Sequence, residues 1–251
     1  MTAKRTVMIL MIPVLALGVL TGCKESIPET ELDQFIARTS KLDGQALQDT
    51  LQSIAASDTR HAVFANYIIG NEFYEAASDS AASKGWADGN VGALLDSAEV
   101  YFSRAVERDS TFIEALVNLG SVWDDRSEQM GSRVERDQRI ANAQKFYELA
   151  LEVDPADEKA RCNLGSLYLR QRRTKEAMAE FQKVLEYDPK SSLAHYNMAI
   201  MFAEAKIYRE AIVEWELAAK YDPDGDIGYR SRENIKIVKD LMNAPAPDLG
   251  H

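Results

Sequence analysis

The sequence is poor in the residues that metal sites, disulfide scaffolds and hydrolytic centres require. Its 251 residues include only two cysteines and three histidines, and His61, His195 and His251 have no companions at ligand spacing. The chain has no HExxH, CxxC, Walker A, GxSxG or dinucleotide-glycine motif. A formal net charge of −11 argues against nucleic acid, whose phosphates require a basic footprint. We therefore predict a protein that is not an enzyme and that uses no cofactor, metal or nucleic acid.

Long apolar runs are also scarce, and the one that stands out lies at the start. Residues 1–5 carry two positive charges, and residues 6–20 are almost wholly apolar. This run is short for a bilayer-spanning helix, which needs about 20 residues. A basic head followed by an apolar run and small residues describes a secretory signal peptide, predicted to cover residues 1–22.

The signal ends in Leu20-Thr21-Gly22-Cys23, which resembles the bacterial lipobox. The resemblance implies cleavage before Cys23 and attachment of lipid, such as palmitate, to its thiol; the alternative is an uncleaved anchor with Cys23 incidental. Lys24 follows where an Asp would resemble a plasma-membrane retention signal, so we expect a bacterial envelope protein at the outer membrane, facing the periplasm. Because Cys23 then carries lipid, Cys162 has no partner for a disulfide within the chain.

What the chain has in abundance is a repeated pattern. A small residue is followed by an aromatic three positions on, then by Ala, a second aromatic, a second small residue and Pro. One copy comprises Gly165, Tyr168, Ala177, Phe181, Val184 and Pro189, and the next, at a constant offset of 34, comprises Ala199, Phe202, Ala211, Trp215, Ala218 and Pro223. Earlier copies comprise Gly120, Trp123, Ala143, Tyr147, Ala150 and Pro155, and Gly70, Phe73, Ala98, Phe102, Ala105 and Ser110.

This pattern resembles the tetratricopeptide helix–turn–helix repeat. The resemblance implies an all-α fold, a right-handed superhelical solenoid of about four repeats closed by a C-terminal capping helix. One departure is that the family often has Trp four positions into the first helix, where this chain has Asn66, Leu116, Arg161 and His195. The predicted segments are a signal peptide (1–22), a tether (23–30), N-terminal capping helices (31–62), four repeats (63–112, 113–157, 158–191 and 192–225), a capping helix (226–242) and a disordered tail (243–251).

Two repeats carry extra residues. In the first repeat, Ser78–Asn90 is rich in Ser, Gly and Asp and is predicted to be a loop. Its Trp86 either is an exposed anchor for a partner or folds back over its own repeat. In the second repeat, the extra charged residues between Asp124 and Arg139 are interpreted as longer helices, so that a solvated helix face explains the Asp124–Asp125 pair.

In tetratricopeptide repeats the first helices line a concave groove, and the resemblance places the partner-binding residues there. The predicted groove residues are Phe64, Tyr67, Asn71, Tyr74, Asn118, Ser121, Lys159, Asn163, Ser166, Arg170, Tyr196, Asn197 and Ile200. Aromatic residues supply contact area and Asn can pair with a peptide backbone. The alternative is that Asn118, Asn163 and Asn197 are ordinary residues of the repeat. Cys162 lies near the groove but has no His neighbour there, so we interpret it as a small buried residue.

These features lead to a prediction of function. The chain resembles envelope adaptor lipoproteins such as type IV pilus pilotins and the adaptors that gather peptidoglycan hydrolases. We expect a membrane-anchored adaptor that binds protein or peptide partners of the cell envelope in its groove. The alternative is a self-assembling structural lipoprotein that uses its inserted segments, and an enzyme is the weakest of the three hypotheses.

Overall fold

The computed structural model describes residues 30–243, and these form eleven α-helices and no strand. The predicted signal peptide, the lipidation site at Cys23 and most of the tether, and all of the predicted tail but its first residue, lie outside the described residues. The described chain divides into two compact units, residues 30–155 and 156–243, named here the first and second units. Within residues 30–243, every helix is too short or too polar to span a lipid bilayer.

The first unit contains six helices. They are α1 (Glu31–Thr39), α2 (Gly44–Ala55), α3 (Ala62–Lys84), α4 (Gly89–Arg108), α5 (Ile113–Ser127) and α6 (Arg133–Val153). Helices α3 and α4 form one antiparallel pair and α5 and α6 the next, while α2 packs on α3. Ser132 begins α6 with a capping box, because its hydroxyl accepts from the Glu135 backbone N–H while the Glu135 carboxylate accepts from the Ser132 N–H.

The predicted loop at Ser78–Asn90 is wrong except at residues 85–88, since α4 already begins at Gly89. Helix α3 continues to Lys84, and Gly85, with φ of 85°, ends it. Ala77 and Ala81 are buried, and Ala is the best helix former, so packing outweighs the loop-like composition of this segment. The extra residues of the first repeat therefore lengthen its helices, and Trp86 lies half-buried in the short turn that remains.

An aromatic cluster that the repeat pattern did not predict joins α1 to the first repeat. The Phe35 ring of α1 stacks on His61 with ring centroids 5.6 Å apart, and Phe64 lies between Phe35 and Phe112. Tyr67 continues the cluster, with its ring centroid 5.1 Å from that of Phe112. Phe64 and Tyr67 are therefore partly committed to packing.

The second unit contains five helices in regular spacing. They are α7 (Glu158–Arg170), α8 (Thr174–Tyr187), α9 (Ser192–Glu204), α10 (Tyr208–Tyr221) and α11 (Asp226–Asn243). The start points of α7, α9 and α11 are evenly spaced, and the step from α8 to α10 has the same length. Helix α11 packs mainly on α10 and also contacts α9, so it occupies the place of a further first helix.

Glycine marks the close approach of the two helices in three repeats. A Cβ atom on Gly165 would overlap the Phe181 ring, and one on Gly120 would overlap the Tyr147 ring. At Gly70 the Phe102 ring would lie only 2.7 Å from the added atom. The small residue of the pattern is thus required because the aromatic of the second helix lies directly on its backbone.

Candidate functional site

The first helices of the first unit bring five of their polar side chains together. Asn71 and Tyr74 lie on α3, and Asn118, Ser121 and Asp125 lie on α5; these five are called the α3–α5 row. Asn118 Nδ2 donates to Asn71 Oδ1 at 2.6 Å, and Tyr74 Oη donates to Asp125 Oδ2 at 2.6 Å. Helical spacings of three and four residues place the members on one face of each helix.

Burial shifts the titration of the acid in this row. Asp125 is half-buried, and burial raises the pKa of its carboxyl to about 7. The hydrogen bond from Tyr74 lowers this pKa and the nearby charge of Glu128 raises it, but burial is the larger effect. Asp125 is therefore not part of a fully solvated helix face, and its neighbour Asp124 is buried as well, which corrects the interpretation of this pair from the sequence.

Tyrosines on two helices border the same row. Tyr147 on α6 donates its hydroxyl to Ser121 Oγ at 3.3 Å, and burial raises the pKa of both Tyr147 and Tyr74. Tyr67 on α3 is half-buried; burial raises its pKa, while hydrogen bonds with Asn71 and Asn118 oppose the rise. The result is a continuous polar surface that rests on a layer of aromatic rings.

In the second unit the corresponding positions are less open. Ser166 Oγ on α7 donates to Asn197 Oδ1 on α9 at 3.5 Å. Tyr196 is only 3% exposed, and its hydroxyl accepts from Asn234 Nδ2 of α11 at 3.4 Å. Cys162 is fully buried, and burial raises the pKa of its thiol, which agrees with its interpretation as a small core residue.

The predicted groove residues thus differ in how accessible they are. Lys159 and Arg170 are exposed, and eight residues are half-buried, namely Phe64, Tyr67, Asn71, Asn118, Ser121, Asn163, Ser166 and Asn197. Tyr74, Tyr196 and Ile200 are buried, so these three are corrected: they support the surface from beneath and do not present it. Whether the accessible members bind a partner stays a prediction.

Two ion pairs were not foreseen from the sequence. Arg161 Nη1 lies 2.6 Å from Glu180 Oε2, and His195 Nδ1 lies 2.7 Å from Glu214 Oε2. Arg161 and His195 stand at the position where the repeat family often has Trp. The sequence does carry a signal for these pairs. In both regular repeats, a basic residue on the first helix is followed 19 residues later by a Glu on the second helix.

Within residues 30–243, His, Cys, Asp and Glu side chains form no group of three that could hold a metal ion. The polar side chains described above bond either between neighbouring first helices or between the first and second helix of one repeat. This arrangement suits a stable surface.

The sequence matches the family described as the tetratricopeptide repeat over residues 136–200. Among solved structures, a crystal structure of MamA is 16% identical, covers 78% of this chain and 97% of its own, and has a TM-score of 0.50. This similarity supports the helical-repeat fold.

Two weaker structural matches have lower TM-scores. MamA residues 41 to the end from Desulfovibrio magneticus RS-1 is 13% identical and covers 69% of this chain and 94% of its own, with a TM-score of 0.40. YrrB, described as a TPR protein with an unusual peptide-binding site, is 18% identical and covers 64% of this chain and 90% of its own, with a TM-score of 0.34. No curated protein matches the sequence.

Proposed function

We propose that this tetratricopeptide-repeat chain is an adaptor that binds protein or peptide partners on the faces of its first helices. The observation that carries the proposal is the α3–α5 row, where Asn71, Asn118 and Ser121 are half-buried and remain partly open to solvent. Amide and hydroxyl groups of this kind can exchange their mutual hydrogen bonds for bonds to a peptide backbone. Stacked helical repeats also use their concave surfaces for binding.

The proposed place of action is the bacterial cell envelope, with the repeats facing the periplasm from the outer membrane. The support is the sequence from Met1 to Cys23, in which a basic head, an apolar run and Leu-Thr-Gly precede the cysteine. A lipidated Cys23 would hold the repeats at the membrane, since two or more acyl chains anchor stably.

Affinity capture after crosslinking in the native host tests the adaptor proposal. The variant to compare with the natural protein is Asn71→Ala with Asn118→Ala, which removes both partners of one hydrogen bond. The Tyr67 hydroxyl also loses its bonds to both amides, but Tyr67 is only half-buried and water can replace them. We expect the double variant to lose at least one captured partner while its helicity and unfolding midpoint stay unchanged. Substitution of Tyr67 or Tyr196 would not test binding alone, because both side chains also pack within the fold.

A matched control is Asn142→Ala on α6, a residue whose side chain accepts from Gln138 on its own helix. This variant is expected to capture the same partners as the natural protein. If the Asn71/Asn118 variant also captures every partner at natural yield, binding on the α3–α5 row is refuted.

Membrane fractionation tests the anchoring proposal separately. With labelled palmitate in the medium, the natural protein is expected in the membrane fraction with label attached, and Cys23→Ser is expected to carry none. Equal labelling of the two proteins would show that Cys23 is not the lipidation site.

Self-assembly is a second candidate function, favoured by one observation. Met130 and Val134, beside the α5–α6 turn, are 84% and 78% exposed. Light scattering of the Cys23→Ser chain at rising concentration tests this function. A strict monomer excludes it, whereas an oligomer that Met130→Ser with Val134→Ser converts to monomer would establish it.

A further inference from the structure

The net negative charge of residues 30–243 lies in one of the two units. Residues 30–155 contain 22 acidic and 11 basic residues, whereas residues 156–243 contain 15 of each. The first unit therefore accounts for an excess of eleven negative charges and the second unit for none. A charge asymmetry of this size biases which partners each unit attracts.

The first helices of the first unit share this excess. Helix α3 carries Glu72, Glu75 and Asp79 against a single cation, Lys84, at its last residue, and α5 carries Glu114, Asp124 and Asp125 against Arg126. The guanidinium of Arg126 is turned to α4, with Nη2 lying 2.6 Å from Asp96 and 2.7 Å from Glu99. No ion pair among the described residues reaches Glu75 or Asp125.

The Asp125 carboxylate is only partly hydrogen-bonded within the described residues. Its Oδ2 accepts from Tyr74, but no described residue donates a hydrogen bond to its Oδ1. The titratable groups that face it are Tyr74 on α3, Glu128 after α5 and Tyr147 on α6, and none of them is a cation. An incoming cation is attracted more strongly by a half-buried carboxylate than by an exposed one, because less water screens the pair.

We propose that the α3–α5 row binds a cationic polypeptide segment, with a Lys or Arg of the partner paired to Asp125. Asn71 and Asn118 then bond to the backbone of the segment. This inference rests on the proposed adaptor function and adds the chemistry of the partner. Binding strengthens as the pH rises through about 7, because the cation requires the ionised carboxylate.

The probe that tests this inference is a fluorescent twelve-residue peptide, three copies of Ala-Lys-Ser-Arg, beside a counterpart with Gln at each Lys and Arg. Fluorescence anisotropy measures the Kd of each peptide for the Cys23→Ser chain at pH 6 and pH 8. We expect the cationic peptide to bind at least about tenfold more tightly than the neutral peptide, and more tightly at pH 8 than at pH 6.

The variant that isolates the site is Asp125→Asn, which keeps an oxygen acceptor for Tyr74 and removes the negative charge. Its control is Asp137→Asn on α6, which makes the same change in net charge at an exposed residue. Among residues 30–243, Asp137 pairs only with Arg133. We expect Asp125→Asn to weaken cationic-peptide binding about tenfold and to abolish its pH dependence. The Asp137→Asn variant is expected to keep the cationic-peptide affinity of the natural protein and its pH dependence.

Equal losses in the two variants would show non-specific charge attraction and overturn the inference. Equal binding of the two peptides would overturn it as well. The adaptor function can stand in either case if partner capture still requires Asn71 and Asn118, so the two failures are distinguishable. If capture is also independent of those residues, both proposals fail.

Discussion

Repeats three and four place two different cations at one equivalent position. In repeat three, formed by α7 and α8, Arg161 pairs with Glu180, and its guanidinium lies 5.9 Å from the Tyr187 ring centroid. In repeat four, formed by α9 and α10, His195 pairs with Glu214. The His195 ring centroid lies 5.6 Å from that of Tyr221. Each residue of the second set follows its counterpart by one full repeat.

Both pairs show that a repeat can use a polar contact at a position where the family often has a large apolar side chain. The resemblance places Trp at this position in the family, whereas both repeats here join their two helices by a charged hydrogen bond with an aromatic ring beside it. Arg161 is charged at every accessible pH, and so its pair is permanent. The imidazole of His195 can lose its proton, and its pair therefore depends on the pH of the medium.

The largest expected effect comes from removing the carboxylate in each repeat. Glu180→Ala removes the carboxylate that pairs with the buried Arg161 and should cost about 3 kcal/mol of stability, since breaking a buried ion pair is strongly unfavourable. Glu214→Ala should cost about 1 kcal/mol, because His195 can lose its proton and become neutral. Urea unfolding of both variants of the Cys23→Ser chain checks the ranking, and equal losses would contradict it.

A second comparison concerns the small residue of the pattern. Repeat three has Gly165 beside Phe181, and repeat four has Ala199 in the equivalent place with Trp215 as the ring. Gly165→Ala should destabilise by about 1–3 kcal/mol because the added methyl overlaps the Phe181 ring. Ala199→Gly should cost about 1 kcal/mol from helix propensity alone. Thermal unfolding measures both, and a neutral Gly165→Ala would show that the ring can move aside.

A third effect, smaller still, is a dependence of stability on pH that the ion pair of repeat four should show and that of repeat three should not. The hydrogen bond to Glu214 raises the pKa of His195, as do the Pro189 carbonyl and the charges of Glu214 and Asp188, while burial opposes the rise. Because the folded pKa is raised, this stabilisation is fully present below the ordinary value of 6.5 and is lost as pH rises through the folded value.

Exchanging the two cations tests that assignment. His195→Arg should flatten the decline in stability between pH 6 and pH 8, and Arg161→His should steepen it. The measurement is the urea midpoint of each variant minus that of the natural protein at both pH values. A decline that is the same in all three proteins would place the titrating group elsewhere.

The smallest expected effect lies in the turns. Arg172 and Lys206 adopt φ of 60° and 62°, a conformation that non-glycine residues avoid. Each turn is closed by a backbone bond, from Arg173 N to Tyr168 O and from Ile207 N to Phe202 O. Replacing either left-handed residue by Gly should raise the free energy of unfolding by about 0.5 kcal/mol. The strain relieved in the folded state slightly exceeds the cost of the extra freedom that Gly gives the unfolded chain. Thermal unfolding measures this change, and a loss of stability in both variants would contradict the expected gain.

Much of the fold could be predicted because local and repeat signals agree in it. The spacing of Gly165, Phe181 and Pro189 fixes where two helices meet and where the second one ends, and the structure follows that spacing. The segment Ser78–Lys84 was mispredicted because its Ser and Asp content outweighed its alanines in the sequence. Its helical state depends on burial of Ala77 and Ala81, which composition does not report.

The candidate site was less predictable because it depends on pairs between helices. Asn71 and Asn118 are 47 residues apart, and Tyr74 and Asp125 are 51 residues apart. The repeat pattern assigned Asn71 and Asn118 to the correct helices but could not show that they bond to each other. It also could not show that Tyr196 is covered by α11, since that cover arises from packing between neighbouring helices.

Helix α11 begins at Asp226, where the regular spacing of α7 and α9 would start another repeat. The seam between α10 and α11 therefore occupies the same position in the repeat as the seam between α8 and α9. A tandem duplication of residues 192–225 should be accepted in frame, giving a longer chain with proportionately more helix by circular dichroism and cooperative unfolding. Loss of cooperativity in the duplicated protein would contradict this expectation. The second unit thus has a modular architecture, in which evolution or a protein engineer can change length without redesigning an interface.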